Sequence, residues 1–150
     1  MKLDIDCVRD IMIWVEETTT PTHFAVYVNV DLLDGQGDFL YPNPECMPRP
    51  NEQQQKLLKK YSNEVLVYHL NYCVEAELLA LANGSDGISI TIRDLTPKGH
   101  DFIGNIRHGP VFQKTKDVLE TLGVKTLDAA VQVSALVVSE LIKSTIFKMS

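Results

Sequence analysis

Seven side chains near the middle of the chain have the types and spacing for contact with a nucleic acid: Lys56, Lys59, Lys60, Tyr68, Asn71, Tyr72 and Arg93. An Asn can grip the edge of adenine with two hydrogen bonds. A Tyr can meet a phosphate or a thymine methyl, and Lys and Arg hold the backbone. Lys98 belongs to the same set of cations. Glu64 and Glu75 work against them, because on the same helix they would face phosphates. Between residues 51 and 125 nine acids balance nine bases, a poor footing for a strong groove binder.

Chemistry of the bond-breaking kind has little to build on. His23, His69, His100 and His108 are scattered, with no HExxH or other spaced ligand pair. No GxSxG elbow, phosphate-binding Gly loop or Cys/His nucleophile pattern is present. His69 reads as a core or boundary histidine with its hydrogen bonds met, and His100 as a hydrogen-bonding group in the first turn of a helix. Asp34, Gln36, Asp38 and Glu45 occupy the first, third, fifth and twelfth places of a calcium-loop register. Phe39 stands where that loop needs Gly, Pro42 and Pro44 interrupt it, and a solvated acidic loop is the better reading. Cys7, Cys46 and Cys73 fit neither a disulfide framework nor a CxxC site. Cys7 and Cys73 sit among apolar neighbours and read as small core residues. The expectation is a protein with no catalytic residues, no metal and no cofactor.

The elements that would position the contact residues follow from periodicity. Residues 4–17 read as an amphipathic helix, with Ile5, Val8, Met12 and Val15 at spacings of three and four. Residues 23–30 read as a strand in which Phe24, Val26, Val28 and Val30 alternate. Residues 31–50 are a loop rich in Gly, Pro, Asn and Asp, long for a compact domain. Asn51 caps a short helix to residue 60, whose lysines cluster at its C-terminal end. Ser62 caps the next helix, and Tyr61 is placed to staple onto Leu66. Leu66, Leu70, Cys73 and Glu77, with Val74 and Leu78, trace its inward side. Glu64, Tyr68, Asn71, Tyr72 and Glu75 trace its outward side.

Residues 79–95 then form a hairpin around Asn83-Gly84-Ser85-Asp86-Gly87, with Ile88, Ile90 and Ile92 inward and Ser89, Thr91 and Arg93 wet. Thr96-Pro97 starts a helix whose apolar side is Phe102, Ile103 and Ile106. His108-Gly109-Pro110 breaks it, a further helix runs to residue 122, and Gly123 terminates that one. Thr126 caps a last helix reaching residue 148. It is apolar around most of its circumference, which predicts burial on several sides. A 150-residue domain is too small to enclose it, so it is expected to pack on its mate in a homodimer, or along the first helix within one monomer.

The bulk numbers agree with a globular chain of 45% apolar and 23% charged residues. No apolar run reaches about 18 residues, so no membrane span is expected. The opening Met1-Lys2-Leu3-Asp4-Ile5-Asp6 lacks the apolar stretch of an export signal, which makes the cytoplasm the expected compartment. The net charge of −6 is uneven: residues 1–50 hold nine acids and three bases, the remainder nearly balances. That disfavours indiscriminate nucleic-acid binding while leaving room for a local basic surface.

Three stretches are similar to a known family. Met1-Lys2-Leu3-Asp4-Ile5-Asp6-Cys7-Val8-Arg9, then Tyr68-His69-Leu70 with Glu75-Ala76-Glu77-Leu78-Leu79, resemble its opening and middle. Leu95-Thr96-Pro97-Lys98-Gly99-His100-Asp101-Phe102-Ile103-Gly104-Asn105-Ile106-Arg107, followed by Phe112-Gln113-Lys114-Thr115-Lys116, is the most distinctive. The resemblance is to domain of unknown function 2513, found in bacteria and their phages. It implies a winged-helix-like fold and carries over no catalytic residues. Two departures stand out: the family often has Gly where this chain has Glu77, and residues 23–50 look longer than usual.

Residue pattern and resemblance together predict an α+β winged helix-turn-helix (helix, strand, two helices, hairpin) with additional C-terminal helices. Residues 1–125 form the winged-helix-like domain and 126–150 the dimerisation helix. The expected function is a cytoplasmic, phage-associated regulator that binds double-stranded DNA. The alternative is a protein–protein interaction module on the same surface. Salt dependence separates the two, being steep for DNA alone.

Overall fold

A computed structural model describes residues 1–33, 47–83 and 87–149. The fold is α+β, with six helices and a small three-stranded antiparallel sheet among those residues. The calcium-like register, Cys46 and the tip of the hairpin lie outside the described residues.

The first helix, α1 (Ile5–Thr18), starts where Asp4 accepts hydrogen bonds from the amides of Asp6 and Cys7, satisfying donors that a helix start leaves open. Its apolar positions recur every three or four residues, so Cys7, Val8, Ile11, Met12 and Val15 are all fully buried. This helix is the centre of the molecule, packed against α2 (Glu52–Lys60), α3 (Asn63–Glu75), β3 (Ser89–Leu95) and α4 (Pro97–Ile106). Burial of each such side chain contributes about 1.5–3 kcal/mol. An exposed ion pair contributes about 1 kcal/mol at most. The apolar stripe therefore outweighs the surface charge in fixing the arrangement.

The sheet runs in the order β1-β3-β2, with β1 (Ala25–Val28) and β2 (Leu79–Leu81) each antiparallel to β3. A single 3-10 turn, Val30–Leu32, follows β1. The β1 alternation expected from the sequence holds at Val28, which is buried, but not before it: Ala25 and Tyr27 are buried, while Phe24 and Val26 are exposed. Polar chemistry decides it. The Tyr27 hydroxyl donates to Asn63 Oδ1 at 2.7 Å in the interior. The small Ala25 is fully buried in the strand opposite Ile92. The β3 alternation holds for Ile88 and Ile92, but Ser89 is buried as well, opposite Val28.

Beyond the sheet, α4 and α5 (Gly109–Leu122) bury Phe102, Ile103, Ile106, Val111 and Phe112. Gly123 ends α5 with φ 69°, a left-handed conformation that glycine adopts without a Cβ penalty. Thr126 accepts from the Ala129 amide and opens α6 (Leu127–Met149). This last helix packs against α4 and α5, and buries only Leu127, Ala130 and Ser134. Burial on several sides is therefore not what the single chain provides. In length and composition α6 is also apolar enough to cross a membrane, with a mean hydropathy of 1.4 over its best 18 residues. The sequence expectation overlooked this because it sought an unbroken run, and Glu140 and Lys143 interrupt this one.

Candidate nucleic-acid interface

The outward face of α3 emerges as the periodicity requires. Glu64, Asn71 and Glu75 are exposed, and Tyr68 and Tyr72 are half-buried. The two tyrosine rings lie 6.0 Å apart at 59°, and Tyr68 also meets the His69 ring edge-on at 5.1 Å. Aromatic pairs at such separations hold each other in place, so the face is semi-rigid. The Asn71 side chain has no hydrogen-bond partner among the described residues, which leaves its amide free to address a ligand. Glu64 and Glu75 mark the two ends, about 16 Å apart along the axis at 1.5 Å per residue.

The cations divide into two groups. Lys56 and Lys59 are exposed on α2 and Arg93 on β3, with no ion pair among the described residues. Lys60 is engaged: its ammonium donates to Asp10 Oδ2 at 2.7 Å and lies 5.4 Å from the centre of the Tyr61 ring. The Asp10 carboxylate raises the Lys60 pKa. Lys98 is spent differently, donating to the Ala76 carbonyl at 3.3 Å, where a helix C-terminus favours positive charge.

What holds this surface in place is a set of polar anchors. Gln54 is fully buried in α2, three and four residues before Leu57 and Leu58. Its carboxamide takes the Val28 amide at 3.0 Å and donates to the Val28 carbonyl at 2.7 Å. It thus completes the open edge of β1 as another strand would. Asn63, at the start of α3, accepts from Tyr27 and donates to Asn29 and Asp31, both at 2.8 Å. Tyr61, between α2 and α3, donates to Asp10 on α1 at 2.7 Å. Burial and this carboxylate together push the Tyr61 pKa up. Sequence reasoning missed Gln54 and Asn63. The available signal was that Gln54 shares a helical face with two leucines, where a solvated Gln has no reason to be.

His69 bears out its expected role. Its Nε2 can only accept from the Asp4 amide at 2.8 Å, so the proton sits on Nδ1, which donates to the Val65 carbonyl at 2.7 Å. The ring is a neutral strut between α3 and the start of α1. His100 faces Asp94 at 3.7 Å.

The end of α3 corrects one expectation. Glu77 is not on the inward stripe; it lies past the helix, exposed, with φ 62°. The Leu78 amide returns to Cys73 and the Glu77 amide to Val74, the two bonds of a Schellman terminator. The Thr96-Pro97-Lys98-Gly99 segment closes on this terminator. Thr96 donates its hydroxyl to the Glu77 carbonyl and its amide to Leu78, and accepts from Gly99. A Cβ on Gly99 would lie 2.1 Å from the Leu78 carbonyl oxygen. The Thr96–Gly99 part of the most distinctive motif is therefore a joint between α3 and α4.

No curated protein and no solved structure matches the chain. The model of the family described as hypothetical protein DUF2513 does match, over residues 40–125, which contain α2, α3, the hairpin, α4 and α5; the chain belongs to that family.

Proposed function

We propose that the chain is a winged helix-turn-helix protein that binds double-stranded DNA as a small cytoplasmic regulator, without catalysis. The order helix, strand, helix, helix, hairpin, with strands arranged β1-β3-β2, supports the scaffold. In that scaffold the second helix of the pair enters the major groove and flanking cations hold phosphates. The observation that carries the reading is the α3 face: an unengaged Asn71 beside Tyr68 and Tyr72, with Lys56, Lys59 and Arg93 free on the neighbouring elements. Lys60 contributes only by leaving Asp10.

Gel-shift titration with random duplexes at two salt concentrations tests it. Three phosphate contacts give a slope of log K against log salt of about −3. Charge reversal at Lys56 and Lys59 together is expected to bring that slope to about −1 and weaken binding uniformly across sequences. Absence of any shift at low salt would overturn the reading.

One set of observations favours a second reading, a protein partner. Glu64 and Glu75 flank the Tyr68–Tyr72 ring pair, and paired tyrosines are common anchors of protein interfaces. Under that reading the protein passes through a heparin column at low salt, and Tyr72→Ala abolishes capture of the partner.

A further inference from the structure

We infer that Asp10 is an autoinhibitory group for the candidate nucleic-acid interface: its carboxylate occupies Lys60 in place of a DNA phosphate and keeps the sequence-independent affinity of the protein low. The inference rests on the DNA reading and names a regulation of that same surface. The geometry is a three-way contact at the joint of α2 and α3. Lys60, the last residue of α2, and Tyr61, which follows it, both donate to Asp10 Oδ2, each at 2.7 Å. The Lys60 ammonium also lies 5.4 Å from the centre of the Tyr61 ring, within reach of a cation–π attraction. The cation closest in sequence to α3 is thereby held on α1.

Folding stability does not account for the contact. The Lys60 side chain is 62% exposed and needs no partner to be hydrated. A pair with one member so exposed adds little to folding. Asp10 differs. Its side chain is only 23% exposed, and Tyr61, packed against the core, fixes the carboxylate. Burial first, then the hydrogen bond to Asp10, raise the Tyr61 pKa, so the hydroxyl keeps its proton and remains a donor. The acid is the fixed half of the pair and the lysine the mobile half.

A phosphate competes for Lys60 with the same chemistry, an anionic oxygen. In a helix-turn-helix the first helix of the pair crosses the DNA backbone, so docking through α3 brings phosphates to α2. Lys56 and Lys59 form no ion pair among the described residues and meet phosphates without exchange. Lys60 must first give up Asp10, and the carboxylate left behind then repels the phosphate. The contact withheld carries no sequence information. Asp10 therefore lowers affinity for every duplex by the same factor and leaves discrimination to the Asn71 amide.

Gel-shift titration of the full chain with random duplexes, at roughly 50 and 200 mM salt, tests the inference. Asp10→Asn removes the charge and keeps an oxygen for Tyr61. It is expected to tighten binding about tenfold at the lower salt and about threefold at the higher, the slope of log K against log salt steepening from about −3 to about −4 as Lys60 becomes a fourth phosphate contact. Adding Lys60→Met to Asp10→Asn should cancel most of that gain and return the slope to about −3. A fold defect cannot imitate a gain that the loss of one lysine then removes. If Asp10→Asn binds as the wild type does, the inference is overturned and the DNA reading stands. The same holds if the gain survives Lys60→Met, because the lost charge of Asp10 alone then explains it. Failure of wild type and Asp10→Asn alike to shift any duplex overturns both.

Discussion

Gly99 and Glu77 are the two residues whose backbone demands are opposite to their side-chain freedom. Gly99 is helical and any L-residue could adopt its dihedrals. It is held to glycine because the Leu78 carbonyl occupies the space of a Cβ, at 2.1 Å. Glu77 is exposed but sits at φ 62°, where a side chain costs about 1 kcal/mol. The two substitutions therefore act with opposite sign on the same joint. Gly99→Ala is expected to destabilise by about 2–4 kcal/mol, since backbone rather than a flexible side chain must yield. Glu77→Gly is expected to stabilise by about 0.5–1 kcal/mol. Urea unfolding measures both, and a neutral Gly99→Ala would show that the joint opens without cost. The resemblance implied Gly at this place, and φ 62° is a backbone that Gly adopts without a Cβ penalty.

At the scale of elements, α2 and α3 behave as a unit moored by side-chain hydrogen bonds to β1 and α1. Gln54 and Asn63 make bonds inside the protein, where losing one partner leaves the other unsatisfied at a cost of about 1–3 kcal/mol. Asn63→Ala strands the Tyr27 hydroxyl in the interior, and is expected to lower the melting temperature by about 3–10 °C. Asn71→Ala, on the same helix but facing water, should leave it within 2 °C or so. Differential scanning calorimetry of the pair separates mooring from surface. Equal effects would mean that the buried network does not hold α3. The periodicity made α2 and α3 visible in the sequence, together with their caps at Asn51 and Ser62. Their mooring was not visible, because it depends on which polar residue meets which strand edge, and periodicity is silent on that.

For the whole molecule, pH is the probe of the core. Burial first, then Asp4 and Asp10, push the Cys7 thiol up to about 12, and burial pushes Cys73 up to about 12 as well. Both values lie above the 9.0 of a free thiol. The native state therefore holds these protons more tightly than the unfolded chain. The associated stability is fully present below pH 9 and is lost as pH rises toward 12. Tyr27 and Tyr61, also raised by burial, extend the same alkaline limb. Melting temperature is expected to decline steeply from pH 9 upward, and Cys7→Ala to make that decline shallower while lowering stability at pH 7. An unchanged alkaline limb in the variant would show that the Cys7 thiol is solvated.

The sequence by itself determined the helices, the hairpin, the core stripe of α1, the outward membership of the α3 face and, through its motifs, the family. Each is a property of near neighbours along the chain: spacing sets the face, a cap sets the boundary, and a motif is contiguous. Tertiary structure alone decided the parity of β1, the capture of Lys60 by Asp10, the burial of Gln54 and Asn63, and the exposure of α6. These depend on groups distant in sequence meeting at a few ångströms. There the desolvation of a polar group, or the absence of a neighbouring surface, overrides what local pattern prefers.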